Sequence, residues 1–388
     1  MADVMGGILS PGKRPSDPIG ALMHSKVMAD VIPRILTVLL LCSVLPTSSA
    51  SAQAAAPFDP SPLVALGDTV KYGSYVVYKI GEGVYKINDP GVTTGKGGAW
   101  GVDMYLICGD TGALMIDLGN NYTAGYAKDV IPPRKNAAEE LRQVVSGLAG
   151  KRPLEIALTH AHPDHDGMTG AFLDGKAKLW MSDGEDKTAL QTQHGVDPSA
   201  YSFFTAGKKT FDLGGGRVVE TIAVRGHSGG GTVYLLKKDM LLFSGDALGS
   251  GFGQAFRSVD RLKVFAEDTK ALVDYVSSNF APYQRYALRV YTGHTWQNVY
   301  GGFMHPNKDK VDVGYLDWRF VQNVASCASG ILGGKWQVEA SGLNHVGTMA
   351  YTDAWPGAAG QAIMVYGVGT IIIPLAAAYE AAGLTMPK

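Results

Sequence analysis

Cysteine is scarce in this 388-residue chain, which has three, Cys42, Cys108 and Cys327, and no Cys-X-X-Cys pair among them. That excludes a disulfide-stapled miniature and a thiolate-ligated metal knot. Charge of one sign is lacking as well: 34 basic and 35 acidic residues leave a net charge of -1, without long blocks of either sign. A nucleic-acid-binding surface needs a basic footprint, so no nucleic-acid partner is expected. No apolar run reaches the about 20 residues that a permanent membrane helix requires, and no repeat recurs at solenoid periods. Against these absences stand 46% hydrophobic residues, enough for a substantial core, and 50 glycines, which mark tight turns and loops that crowd their neighbours.

Residues 1–52 read as a signal peptide. Arg34 precedes the apolar run Ile35 to Leu45, Pro46 follows, and Ala50-Ser51-Ala52 supplies small residues for cleavage near Ala52. Translation from Met28 would make this leader compact. The protein is therefore expected to be exported, periplasmic or secreted. Residues 53–68, rich in Ala, Pro and Ser, read as a flexible lead-in, and residues 69–388 as one folded domain. Cys108 and Cys327, which remain after cleavage, permit a bridge without demanding one and otherwise read as small buried hydrophobes.

Beyond the lead-in, hydrophobic runs of strand length alternate with helical spacings. Strands are predicted at Tyr75 to Ile80, Val84 to Ile87, Met104 to Cys108, Ala113 to Ile116, Leu154 to Leu158, Lys178 to Met181, Arg217 to Val224, Thr232 to Leu236, Met240 to Phe243 and Arg289 to Tyr291, with two more at Ile363 to Tyr366 and Thr370 to Ile373. Helices are predicted at Ala137 to Leu148, Arg261 to Phe280 and Leu316 to Leu332. This order suits two sheets sandwiched between helices, and on periodicity alone a doubly wound sheet equally well.

The chemistry is concentrated in one turn. Leu154 to Leu158 delivers the chain into His160-Ala161-His162-Pro163-Asp164-His165. In an extended turn residues two apart point the same way, so His160 and His162 can grip one ion while Asp164 and His165 face a second. Imidazole and carboxylate suit a borderline cation such as zinc. Two ions need more ligands than one turn provides, and suitable residues follow later strands: His227 in Gly226-His227-Ser228-Gly229-Gly230, Asp246 after Leu241-Leu242-Phe243-Ser244-Gly245, and His294 after Tyr291-Thr292-Gly293.

These motifs, in this order, resemble the metallo-β-lactamase superfamily, nearest in pattern to glyoxalase II and the zinc lactonases, over roughly Val70 to Ile373. The resemblance implies an α/β (α+β) αββα sandwich and a metal-dependent hydrolase. It implies a first metal on His160, His162 and His227, a second on Asp164, His165 and His294, and Asp246 bridging both. Asp117, in Ile116-Asp117-Leu118-Gly119, matches the family's early Asp-X-Gly, whose carboxylate steadies the metal loop. The cofactor expected is two zinc ions per chain, with iron or manganese also compatible with the ligands.

Two cations beside one water lower its pKa, so a bridging hydroxide is the expected nucleophile on a small ester, lactone, thioester or related acyl substrate, with Asp164 as the catalytic residue that orients it. No Ser-His-Asp triad is required. The chain departs from the named subgroups: Asp246 stands where some β-lactamases have a cysteine ligand, Lys308 and Lys310 follow His294 but read as solvated surface lysines rather than a glutathione-binding cluster, and Ala247-Leu248-Gly249-Ser250 replaces the tyrosine of zinc lactonases. Trp100, Phe252, Phe256, Trp296 and His305 are expected as substrate walls, with Ser250 as a donor to a substrate carboxylate. The rival readings are a periplasmic β-lactamase and an iron-dependent oxidoreductase of the sulfur dioxygenase kind.

Overall fold

The computed structural model describes residues 56–90, 101–120, 134–194, 196–298, 314–334, 344–349 and 361–385. The leader read over residues 1–52 and the wall residues Trp100 and His305 lie outside them, as do Lys308 and Lys310.

The first sheet follows chain order: β1 (Thr69–Tyr72), β2 (Tyr75–Gly81), β3 (Val84–Asp89), β4 (Val102–Cys108), β5 (Ala113–Ile116), β6 (Leu154–Ala157), β7 (Ala177–Ser182) and β8 (Tyr201–Phe204). Pairing is antiparallel as far as β5 and parallel from β5 to β8. The switch coincides with the first helix, α1 (Ala137–Ala149), because parallel neighbours need a crossover and antiparallel ones only a turn. Helix α2 (Lys187–His194) lies between β7 and β8.

The second sheet is built from β9 (Thr210–Asp212), β10 (Val218–Ala223), β11 (Thr232–Leu236) and β12 (Leu241–Gly245), then, past the short β13 (Gln254–Ala255), from β14 (Arg289–Thr292) and β15 (Leu316–Asp317). Its order is β15-β14-β12-β11-β10-β9, with β12 and β14 parallel across the crossover through α3 (Val259–Asn279) and α4 (Pro282–Tyr286). A third sheet, ordered β13-β18-β17-β16, joins β13 to β16 (Asn344–Met349), β17 (Gln361–Tyr366) and β18 (Gly369–Pro374), which lie between α5 (Trp318–Leu332) and α6 (Leu375–Ala381).

Side-chain alternation sorts these elements into layers. In β4, Met104, Leu106 and Cys108 pack toward α1, whose Leu141, Val144, Val145 and Leu148 recur at helical spacing. The intervening Tyr105 and Ile107 face the second sheet and meet Phe243, Leu241 and Tyr291. On β12, Leu242 points the opposite way, into a core with Leu262, Phe265, Leu272 and Val276 of α3 and Phe320, Val321 and Val324 of α5. The succession of helix, sheet, sheet, helices is the αββα sandwich that the sequence implies. Burial on both faces explains why the central strands read as nearly unbroken apolar runs.

Two readings differ from the structure, and the reading of Cys108 and Cys327 as small buried hydrophobes agrees with it. Phe58 and Leu63, inside the segment read as a flexible lead-in, are buried against the α1 side of the first sheet, and Phe58 meets Tyr72 edge to face at 5.5 Å. Two large apolar anchors outweigh the Ala, Pro and Ser around them. Helix α5 begins at Trp318 rather than Leu316, because Asp317 caps it by accepting from the backbone N–H groups of Arg319 and Phe320, while Leu316 pairs with Val290. Cys108 and Cys327 are both buried and unbridged, Cys108 in β4 and Cys327 in α5. Among the described residues no helix is long and apolar enough to cross a membrane.

Phe243 fills the space between the two main sheets, 4.9 Å from the Tyr105 ring and stacked 5.9 Å from that of Tyr291. Phe243→Ala is expected to cost about 3–5 kcal/mol through lost burial and the cavity left behind. Urea unfolding should show a lowered midpoint with an unchanged slope.

Candidate metal centre

Five strand ends converge at one edge of the sandwich. Asp117 follows β5, the histidine turn follows β6, His227 lies between β10 and β11, Asp246 follows β12, and His294 follows β14. The two sheets are fastened together at this edge by buried bonds. The Tyr105 hydroxyl donates to the Thr292 carbonyl at 2.6 Å, the Tyr234 hydroxyl to the Leu158 carbonyl at 2.7 Å, and the Thr232 N–H to the Thr159 carbonyl at 3.0 Å.

The seven residues that the sequence proposes as ligands form two groups. His160, His162 and His227 bring one nitrogen each to within 4.8 Å of one another, and Asp164, His165, Asp246 and His294 do the same with nitrogen and carboxylate oxygen. His227 Nε2 lies 3.0 Å from His162 Nδ1. Asp246 faces both groups: its Oδ2 is 3.7 Å from His227 Nε2, and its Oδ1 is 3.4 Å from His294 Nε2 and 3.5 Å from His165 Nε2. Asp164 Oδ2 stands 3.5 Å from His294 Nε2 and 3.8 Å from His165 Nε2.

Glycine makes this approach feasible. A Cβ on Gly293 would sit 2.5 Å from His165 Cε1 and 2.7 Å from Asp246 Oδ1, and one on Gly245, at φ +48°, would sit 2.3 Å from Thr159 Oγ1. No side chain fits at either place.

Asp117 organises the turn. It is buried and occupies the left-handed region at φ 62°, one of the few side-chain-bearing residues to do so. Its Oδ1 accepts from the Thr159 N–H at 2.7 Å, and its Oδ2 from the Thr159 hydroxyl and from His165 Nδ1, both at 2.8 Å. With Nδ1 engaged, His165 turns Nε2 toward the cluster. Thr159 Oγ1 is also 3.0 Å from His160 Nδ1, so one carboxylate reaches two histidines. Asp103 serves the far side. It accepts from the Thr295 N–H and hydroxyl, each at 2.7 Å, and from Asn88 Nδ2 at 2.8 Å, with Lys86 Nζ 3.8 Å away. His294 Nδ1 is tied to the Gly101 carbonyl at 2.7 Å. Sequence reasoning missed Asp103, although a lone acid inside the apolar run of β4 is the kind of signal that marks a buried, partnered charge.

The electrostatics follow from this packing. Burial, with its histidine neighbours, drives the His160 imidazole well below its usual pKa and that of His227 down to about 4. Burial alone would lower His165 and His294 too, but Asp246 and Asp164 outweigh it and raise both. Burial likewise opposes ionisation of Asp246 and Asp164, yet the facing histidines hold both carboxyls below the usual carboxylate range. The donor set fits divalent metal. The buried Nε2 atoms of His160 and His165 find no hydrogen-bond partner among the described residues, an arrangement that water-exposed or structural histidines avoid, and two ionised carboxylates stand among imidazoles.

The remaining expected residues are placed differently. Phe256 is not a substrate wall: it is buried in the α3 core, its ring 4.7 Å from that of Phe265. Ser250 is buried and its hydroxyl donates to Gln297 Oε1 at 2.8 Å, so it ties the Asp246 loop to the His294 loop rather than offering itself to a substrate. Phe252 packs against Ile363 and Ile372 of the third sheet, and Trp296 donates its indole N–H to the Gly101 carbonyl at 3.0 Å; both are half-buried. Gly226-His227-Ser228-Gly229-Gly230 also spells Gly-X-Ser-X-Gly. Its serine is buried on a strand-to-strand loop rather than a strand-to-helix elbow, so it is no nucleophile.

Residues 97–284 match the family model described as the metallo-beta-lactamase superfamily. Among solved structures, the chain is similar to a metallo-beta-lactamase from Erythrobacter litoralis, with 15% identity over 58% of this chain and 92% of that one and a TM-score of 0.40. It is also similar to a metallo-beta-lactamase from Pontibacter korlensis, with 17% identity over 66% and 99% and a TM-score of 0.43. A beta-lactamase domain protein from Burkholderia ambifaria shares 17% identity over 60% and 71%, with a TM-score of 0.41. A comparison with curated proteins finds no match.

Asparagine tolerates the left-handed region but offers one acceptor oxygen where aspartate offers two. Asp117→Asn is therefore expected to keep the fold while weakening divalent-metal uptake by about 10–100-fold, the usual cost of losing a carboxylate behind a ligating histidine. Competition with a chromophoric chelator measures the uptake, and far-UV circular dichroism should not change.

Proposed function

With residues 97–284 placing this chain in the metallo-beta-lactamase superfamily, we propose that it is a dinuclear zinc hydrolase of small acyl substrates, an ester, lactone or thioester, acting after export. The observation that carries the reading is the position of Asp246, whose two oxygens address the two halves of the cluster separately.

In this proposal His160, His162 and His227 would hold one cation and Asp164, His165 and His294 the other, with Asp246 facing both groups. Such a pair, when bound, supplies the Lewis acidity that brings a water's pKa toward neutrality and polarises an acyl oxygen. The chain's own residues do the rest. Asp164, kept ionised by His165 and His294, orients the attacking water, accepts its proton and returns it to the leaving group. Asp117 and Asp103 fix the ligand loops from behind, so that the imidazoles need not reorganise during the reaction. Phe252 and Trp296, half-buried on the loops after Asp246 and His294, are in this proposal the apolar surface offered to the substrate. The near-zero net charge suits a substrate that is neutral or weakly charged.

Purified protein is expected to carry two equivalents of zinc and to turn over a member of a panel of lactones, esters, thioesters and β-lactams. A chelator should abolish turnover and added zinc should restore it. Asp164→Ala is expected to lower kcat by about 10²–10⁴-fold, the usual worth of a positioned acid or base, and His162→Ala to remove one zinc. Turnover that survives metal removal would refute the proposal, and turnover confined to β-lactams would reassign the substrate.

A further inference from the structure

One buried carboxylate near the centre is not used by the mechanism above. Glu185 follows β7, a strand that contributes no ligand, and is nearly inaccessible to solvent, at 8% exposure. Its Oε1 accepts from the Ser228 hydroxyl at 2.6 Å and from the Gly230 N–H at 2.9 Å, and the backbone N–H of Ala161 faces the same carboxylate and favours its charged form. Two of these contacts share one property. Ala161 stands between His160 and His162, and Ser228 follows His227, so every residue of the three-histidine group lies next to a residue whose donor faces Glu185.

The local backbone is closed around this carboxylate. A Cβ on Gly230 would lie 2.8 Å from Glu185 Cγ, and one on Gly184 would lie 2.8 Å from the Gly229 carbonyl oxygen, so the two loops touch without room for side chains. Burial of a carboxylate is expensive unless donors converge on it, and here the donors come from the two loops that carry the histidines. Among the described residues no hydrogen bond joins Glu185 to the Asp164, His165, Asp246 and His294 group; Asp117 and Asp103 support that side.

We infer that Glu185 is the positioning residue of the three-histidine site, holding the histidine turn and the His227 loop in register so that His160, His162 and His227 present one shared binding point. This rests on the reading of the centre as two cation sites. The carboxylate touches neither substrate nor cation in this role, and its removal weakens one site and spares the other.

The test is retention of zinc by the full chain against rising concentrations of a chromophoric chelator. Wild type is expected to hold two equivalents, and His227→Ala one. Glu185→Gln and Glu185→Ala should each lose one equivalent at about 10–100-fold lower chelator, with glutamine the milder because it keeps an acceptor for Ser228 and Gly230. The equivalent that remains should superimpose on the curve of His227→Ala. If Glu185→Ala fails to fold, Glu185→Gln decides. Two equivalents held as in wild type, or both weakened alike, would overturn the inference while leaving the metal centre intact. A wild-type chain that holds no zinc would instead remove the metal centre itself.

Discussion

The arrangement depends on a carboxylate that binds no ligand of its own, Asp117, placed where β5 ends and accepting three hydrogen bonds from Thr159 and His165. A non-glycine residue at φ 62° costs about 1–3 kcal/mol. Three bonds to a buried charge offset that cost, and each exceeds a neutral hydrogen bond in strength. The strained turn and the bonds need one another: an extended residue at 117 would aim its carboxylate away from the histidine turn, and without the bonds the strain would relax.

Around this point the sandwich supplies rigidity from both sheets. Parallel pairing brings β5, β6 and β7 to end at the same edge, and β12 and β14 do likewise in the second sheet. Side-chain hydroxyls of Tyr105 and Tyr234 cross from one sheet to backbone carbonyls of the other, fixing how far apart the two sets of loops stand. Loops hung on such a frame can differ in sequence without moving the ligands, because each is pinned near its strand end.

Much of this was legible in the residues alone. The central strands are buried on both faces, so their apolar runs stand out, and Thr232 to Leu236 and Ala113 to Ile116 coincide with the observed strands to the residue. The candidate ligands stood out because His160, His162, Asp164 and His165 are crowded into one turn and the others follow strand ends. What stayed hidden depends on direction or on distance along the chain. A glycine-rich loop does not reveal whether Phe256 or Ser250 points inward, and both do. Glu185 follows, and Asp103 lies within, a strand that carries no candidate ligand, and their partners lie far off in sequence. The third sheet was half legible, since β17 and β18 have strand composition, but nothing local says that β18 pairs with β13.

That last pairing gives the centre a dependence in time. Gln254 and Ala255, just past the loop that begins at Asp246, lie parallel to Ile371 and Ile372, and Gln254 also donates to the Asp246 carbonyl. A polypeptide synthesised from its amino end acquires the histidine turn early and this neighbour of the Asp246 loop late. Until β18 docks, the strand behind that loop has no partner, so the Asp246 loop gains this support only from a segment synthesised more than a hundred residues later.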